Sequence, residues 1–352
     1  MVRVIQTLLT WYQEYHRKMP WRETSDPYKI WISEIILQQT RVQQGLPYYL
    51  RFIGKFHTVS DLALADESEV LKLWQGLGYY SRARNLHKAA KIIHQTFHGR
   101  FPENFDEIAL LPGVGDYTAS AIAAFAFNLK TVAVDGNVKR FAARWLGVDI
   151  PIEKQLFVQR IKHELLEVLG DSPDSNLFNQ AIIELGATIC TPTNPSCSRC
   201  PLQETCVAYS NNHQTILPVI TKKLKPQPLN IVFFAIQQLD CWWVVQRDES
   251  SVWANLYEFP NREVNALEMD PVVLLDEITG NAVDSKSIKI LGFKDFKHQL
   301  SHRSIQARCW HFSIEVEGDL PKSWVRLPSA AMGEIPVHRL MEKMMEFVRV
   351  WK

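Results

Sequence analysis

Two carboxylates in this chain stand where acid–base chemistry could be done. Glu34, in "IWISEIILQQ", has apolar residues on nearly every side of its helix. Burial there disfavours the charged form and raises the pKa, which suits a proton donor. An unpaired carboxyl in an apolar helix is otherwise costly. Asp135, in "TVAVDGNVKRFAARWLG", falls where an apolar, strand-like segment gives way to a new helix. The helix N-terminus favours its carboxylate form, although a plain N-cap accounts for the residue more simply. One proton-bearing carboxyl and one ionised carboxylate make the pair that cleavage of a glycosidic bond needs.

Four cysteines form the second group. Cys190, Cys197, Cys200 and Cys206 crowd into seventeen residues with the spacing C-x6-C-x2-C-x5-C. A structural zinc site ordinarily brings two close pairs, whereas here only Cys197 and Cys200 are close. One loop supplying four thiolates suits a cubane iron–sulfur cluster as well, and the spacing leaves both metals open. Disulfides do not fit a cytoplasmic protein. The basic Arg199 inside the loop could meet DNA. Cys241 and Cys309 lie in β-like stretches and read as buried apolar positions.

The third group is "LPGVGDYTASA", Leu111 to Ala121. Around Gly113 and Gly115 the small residues let backbone amides face outward at the start of the next helix. With the helix dipole they form an anion site suited to a phosphate. A bare Gly-x-Gly is more often just a turn. Here "PENFDEIALL" in front and the alanine-rich run behind are both helical, giving a helix–hairpin–helix unit over about residues 103–127.

The elements that must position these groups fall into two textures. Residues 1–210 read as helix after helix: "SDPYKIWISEIILQQT", with Asp26 as N-cap and Pro27 at the first helical position, then "DESEVLKLWQGLG", "YSRARNLHKAAKIIHQTF", "YTASAIAAFAFNL" and "SNLFNQAIIELGATI". Residues 211–230 hold three prolines and three lysines without a clear period, which describes a linker. Beyond it, "NIVFFAIQQLDCWWVVQRD" predicts two strands with a tight turn near Leu239–Asp240. "SIKILGF" and "SIQARCWHFSIEVEG" are strand-like, and "VHRLMEKMMEFVRVWK" is a closing amphipathic helix. A helical domain is therefore followed by a smaller α+β domain, 231–352.

The totals exclude some classes. With 46% hydrophobic and 22% charged residues, 352 residues can hold two globular domains. No apolar run reaches the ~18 residues of a membrane helix, and the N-terminal stretch lacks a signal-peptide core, so a cytoplasmic location is expected. Net charge is +1, but no acidic residue lies between Glu69 and Glu103, where Lys72, Arg82, Arg84, Lys88, Lys91 and Arg100 fall. Most charge runs are solvated faces. Interleaving with Trp74, Tyr79 and Tyr80 makes this one a candidate phosphate-tracking surface.

Taken together, "MPWR", "SEIILQQTRV", "LWQGLGYYSRARNLHKAA", "LPGVGDYTASAIAAFAF", "VDGNVKR", "FNQAIIELGATIC" and "CSRCPLQETC" resemble the helix–hairpin–helix DNA glycosylases of the endonuclease III superfamily. Within it the resemblance is to the MutY adenine DNA glycosylases, and it covers nearly all of residues 19–206. It implies a mainly α glycosylase domain with a [4Fe–4S] cluster loop at 190–206, followed by a Nudix-like domain. It implies that Glu34 protonates adenine N7, that Asp135 stabilises the oxocarbenium-like sugar, and that Asn137 orients these groups or the substrate. Arg22, Leu37 and Gln180 would line the adenine pocket, with Gln39 and Tyr79 as wedges filling the gap left by the extruded base. Bifunctional relatives carry a Schiff-base lysine at the Tyr117 position. Tyrosine cannot form one, so a monofunctional enzyme is implied, with the phenol helping to hold Asp135 or the cleaved sugar.

The resemblance extends to the second domain. The glutamate-rich box "REUxEExGU" (U, aliphatic) that hydrolases of the Nudix fold need is absent after "SVWANLYEFPNREVNALEMD". A reading role is implied instead, with Leu300, Ser301 and His302 of "HQLSHRSI" in the place of the family's Phe-Ser-His motif. Leu300 stands where phenylalanine is common. The implied partner is double-stranded DNA with adenine opposite 8-oxoguanine or guanine, met by a monomer that would be nucleoid-associated in a bacterium. The alternatives are a thymine or uracil mismatch glycosylase on the same scaffold, and a non-catalytic iron–sulfur DNA-binding protein.

Overall fold

The computed structural model describes residues 2–172, 174–221, 225–249, 251–280, 288–314 and 320–350. Contacts divide the chain into two units, Met1–Leu64 with Asn85–Lys223, and Ala65–Arg84 with Leu224–Lys352.

The first unit is helical. Asp26 caps the helix Pro27–Leu37 by accepting from the Tyr28 amide, with Pro27 in the first turn, as the local signals predict. Tyr28, Ile30, Trp31, Ile32, Ser33, Glu34, Ile35 and Ile36 are all buried. A helix apolar all round belongs in the interior, and this one carries Glu34 there. It packs against Asp116–Phe127, whose buried Ala119, Ala121, Ala123 and Ala124 permit a close approach. Helix Gly136–Trp145 packs in turn on Ser175–Thr188. Phe141, Phe157, Ile161, Leu165, Phe178 and Leu185 form a shared core beneath them. Each such side chain contributes about 1.5–3 kcal/mol by leaving water.

One expectation in this unit fails. The apolar segment ahead of Asp135 forms no strand. Its backbone bonds go to a side chain: the Ala133 amide donates to Asn179 Oδ1 at 2.7 Å, and Asn179 Nδ2 donates to the Thr131 carbonyl at 2.8 Å. A single amide does the pairing that a neighbouring strand would have done.

Among the described residues, the second unit is built on a seven-stranded sheet from β1 (Gln227–Gln238), β2 (Cys241–Gln246), β3 (Tyr257–Glu258), β4 (Asn261–Val264), β5 (Ile288–Gln299), β6 (Arg303–Ile314) and β7 (Trp324–Pro328). The order is β3-β2-β1-β6-β5, with β4 paired to β1 and β7 to β2. β1 runs parallel to β6 over its whole length. Ile231–Ile236 is buried on both faces, which explains the unbroken apolar run. Helix Pro271–Thr279 sets Leu274 and Leu275 against Val232, Phe234, Ile236 and Phe312. Leu239, with φ 55°, makes the tight β1–β2 turn.

The linker was expected to reach residue 230, but Gln227–Asn230 already belong to β1 because they pair with Arg303–Gln306; residues 222–224 lie outside those described. Cys309 is fully buried as expected, whereas Cys241 is half-buried. The basic stretch is also less of a surface than its composition implies. Trp74 and Tyr80 are core residues. Lys72 donates to the Ile335 carbonyl at 3.1 Å, Arg84 to the Ala254 carbonyl at 2.9 Å, and Arg82 lies over Trp74. Tyr79 remains 53% exposed.

Candidate active site

Eight of the residues singled out in the sequence line one cleft of about 890 Å³ in the helical unit: Arg22, Glu34, Leu37, Gln39, Tyr117, Asp135, Asn137 and Gln180. Glu34 is 8% exposed. Burial pushes its carboxyl up to about 7, against the smaller opposing effect of one hydrogen bond. That bond comes from Tyr117, whose hydroxyl donates to Glu34 Oε2 at 2.7 Å. Tyr117 thus hydrogen-bonds within the pocket, and its partner is Glu34 rather than Asp135, because its helix packs on Pro27–Leu37.

Asp135 is the N-cap of Gly136–Trp145, accepting from the Val138 amide at 2.7 Å through Oδ1. Its other oxygen accepts from Asn137 Nδ2 at 2.7 Å and stays at the cleft. Capping therefore uses one carboxyl oxygen and does not remove the residue from the cleft lining. Burial raises its pKa, opposed by the bonds from Val138 and Asn137. The helix terminus was expected to favour the carboxylate, and desolvation outweighs it.

Four residues that the sequence reading missed hold these groups. Arg140 donates to Asn137 Oδ1 at 2.9 Å, to the Gly186 carbonyl at 2.6 Å and to the Cys190 carbonyl at 2.7 Å. It lies three residues after Asn137, on the same face of one helix, which is the signal that could have found it. Gly186 permits this contact, since an added Cβ would lie 2.6 Å from the Asn137 carbonyl oxygen. Glu184, fully buried, accepts from Arg22 at 2.7 Å and Arg17 at 2.6 Å. Burial alone would lift its pKa, but the two guanidiniums hold it below the usual range. Tyr12 donates to Gln180 Oε1.

Elsewhere in the unit, Gly113 has φ 77°, and a Cβ there would meet that of Asn85 at 2.7 Å. Only glycine fits this turn. Gly115 is the N-cap of Asp116–Phe127, with φ −89° and open space around it. Its helix presents first-turn amides that no preceding turn can accept.

Cys190, Cys197, Cys200 and Cys206 border one cavity with Phe141, Arg144, Trp145 and Ile189. Arg144 donates to Cys190 Sγ at 3.4 Å and to the Thr191 and Pro192 carbonyls. Burial pushes the Cys200 thiol up to about 12 and raises those of Cys197 and Cys206.

Tyr79 and the Leu300–His302 turn belong to the other unit. Gln39 and Tyr79 both adopt left-handed backbone, φ 58° and 49°. Leu300, Ser301 and His302 close the β5–β6 hairpin, with the Leu300 amide bonded to the Arg303 carbonyl at 2.8 Å. Ser301 and His302 are exposed and Leu300 half-buried.

Among the described residues, no helix is long and apolar enough to cross a membrane. Residues 32–162 match the family described as HhH-GPD superfamily base excision DNA repair protein, and residues 231–347 match the NUDIX domain. An adenine DNA glycosylase of Buchnera aphidicola subsp. Baizongia pistaciae (strain Bp) is 39% identical over 304 residues, covering 85% of this chain and 83% of that protein. Another, from Buchnera aphidicola subsp. Acyrthosiphon pisum (strain APS), is 33% identical and covers 97% and 96%. A solved thermostable thymine-DNA glycosylase superposes with TM-score 0.54 and 32% identity over 60% of this chain and 96% of its own. By these likenesses, and with its paired carboxylates in one cleft, the chain belongs to the adenine DNA glycosylase family, as a base-excision-repair enzyme with a helix–hairpin–helix domain and a Nudix-like domain.

Proposed function

We propose that the cleft hydrolyses the N-glycosidic bond of an adenine paired with 8-oxoguanine or guanine in duplex DNA, and leaves the strand intact. The observation that carries this is Glu34, buried, with a carboxyl pKa of about 7, in one cleft with Asp135. Tyr117 occupies Glu34 Oε2, which leaves Oε1 to carry the proton. That proton passes to adenine N7, and the C1′–N9 bond breaks with its electron pair leaving on the base. Asp135 Oδ2, at the cleft, faces the positive charge that develops on the sugar. Water adds to C1′ and gives up a proton to the now ionised Glu34. With tyrosine at position 117 there is no amine at that position to attack C1′ as a Schiff-base nucleophile.

The base reaches the cleft by leaving the stack. Gln39 and Tyr79 serve as wedges, a role supported by the strained backbone both residues hold. Gly113 and Gly115 present the hairpin amides to a phosphate. Leu300, Ser301 and His302 read the oxidised guanine, which unlike guanine carries an N7 hydrogen and a C8 oxygen. The exposed Ser301 offers both a donor and an acceptor.

Cys190, Cys197, Cys200 and Cys206 would hold a [4Fe–4S] cluster, a reading supported by four thiols of one loop that border one cavity. The cluster would supply structural cross-linking of its loop, and no step of base release runs through it.

Duplexes carrying adenine opposite 8-oxoguanine, adenine opposite guanine, thymine opposite guanine and uracil opposite guanine test the reading. Adenine release without strand nicking is expected from the first two. Release of thymine or uracil would move the assignment to a mismatch glycosylase, and release of no base would remove catalysis from it.

A further inference from the structure

We propose that Tyr12 and Asn176 are positioning residues for base selection, fixing the Gln180 amide in the one sense that recognises adenine's exocyclic amine. This rests on the reading of the cleft as an adenine site. Gln180 lines the cleft, whereas Tyr12 stands outside the lining and is 3% exposed. The Tyr12 hydroxyl donates to Gln180 Oε1 at 2.5 Å, and Gln180 Nε2 donates to Asn176 Oδ1 at 2.5 Å. Asn176 Nδ2 then donates to the Phe125 main-chain carbonyl at 3.1 Å.

That last carbonyl has no hydrogen to give, and it sets the polarity of the whole chain. Asn176 must turn its amine toward Phe125 and its carbonyl toward Gln180. Gln180 must therefore turn its amine toward Asn176 and its carbonyl toward Tyr12. A flipped Gln180 amide would place its oxygen against Asn176 Oδ1, two acceptors with no proton between them. Tyr12 is itself clamped, stacked on His16 with ring centroids 4.7 Å apart and lying under Arg22 at 5.7 Å.

So oriented, Gln180 keeps one lone pair on Oε1 and one hydrogen on Nε2 for a ligand. That pair complements an amine beside a ring nitrogen, which is adenine's edge. Guanine would set its own carbonyl oxygen against Oε1. Unsubstituted purine would leave Oε1 without its donor.

The test compares single-turnover release of adenine and of unsubstituted purine, each opposite 8-oxoguanine, in the full-length protein. Tyr12→Phe keeps the ring and its packing; Asn176→Ala breaks the other end of the chain. Both should slow adenine release about three- to tenfold, the scale of one ordinary hydrogen bond, and purine release by less than about twofold. In a Gln180→Ala background, Tyr12→Phe should change the adenine-to-purine ratio no further. If Gln180→Ala shifts the ratio but neither Tyr12→Phe nor Asn176→Ala does, the positioning role is wrong and the adenine contact stands. A parallel slowing of both bases would likewise overturn it in favour of a general structural role. If Gln180→Ala itself leaves the ratio unchanged, the assignment of Gln180 to adenine fails and the inference fails with it.

Discussion

In the cleft of the helical unit, Glu34 is 8% exposed, and the lining residues Tyr117, Asn137 and Arg22 are locked by bonds of 2.7–2.9 Å, the last two from Arg140 and to Glu184. At the turn between β5 and β6, Ser301 and His302 are exposed, and their one mutual side-chain contact is 3.5 Å long. The contrast matches the roles proposed for the two regions. Bond cleavage needs a proton held at a shifted pKa and a carboxylate aimed at a developing charge, and both require exclusion of water and a fixed geometry. Recognition of a base by an open turn adds differential contacts on binding, and water competes for each of them until then. Changes in the cleft should therefore act on rate by orders of magnitude, and changes in the turn on preference by small factors.

The largest effect is expected from Glu34→Gln, which keeps shape and removes the titratable proton. Adenine release should fall about 10²–10⁴-fold under single turnover while the lesion duplex is still bound. Stability should move the other way. The folded pKa of about 7 lies above the ordinary 4.5, so wild-type stability is full below the unfolded value and is lost as pH rises through about 7. Glu34→Gln should consequently melt at a higher temperature than wild type at pH 8, with little difference at pH 4. A rate near wild type in this variant would break the contrast at its strongest point.

Gly186→Ala comes next. Its new Cβ collides with main-chain atoms of Asn137, so the N-cap of Gly136–Trp145 must shift and carry Asp135 with it. A displacement on the ångström scale can cost about a hundredfold in rate, and release should drop by about that factor with the lesion affinity little changed. An unchanged rate would show that the geometry of Asp135 is not what the helix packing fixes. The smallest effect is expected at the turn. Ser301→Ala alone should lower the preference for adenine opposite 8-oxoguanine over adenine opposite guanine by about twofold, since backbone donors remain. Joint replacement of Leu300 and Ser301 by alanine should cost about tenfold, the scale of two weak contacts. If the double variant keeps the full preference, the turn is not the reader.

The same two regions show where local sequence suffices and where it does not. Asp26–Pro27 and Asp135 announce helix starts within two or three residues, and the structure places caps at both. The apolar surroundings of Glu34 were enough to anticipate its raised pKa. Strand pairs joined by a short turn, as at Leu239, are local events and were equally visible. What stayed hidden depends on contacts between distant residues. Tyr117 meets Glu34 across 83 positions of chain, Arg22 meets Glu184 across 162, and Tyr12 meets Gln180 across 168. Asn179 replaces a partner strand for Thr131–Ala133, so an apolar run that looks like a strand is left without one. The basic stretch is only partly legible for a related reason: composition does not say that Trp74 and Tyr80 are buried or that Lys72 and Arg82 bond to carbonyl groups, while Lys88, Lys91 and Arg100 stay exposed.

The central claim is that Glu34 delivers its proton from a buried carboxyl. Single-turnover adenine release from an adenine:8-oxoguanine duplex, measured across pH 5–9, tests it most directly. The acid form of Glu34 predominates below about 7, so the rate should hold up to that point and then decline, approaching tenfold per pH unit on the alkaline side. A rate that stays level from pH 6 to 9 would contradict the account.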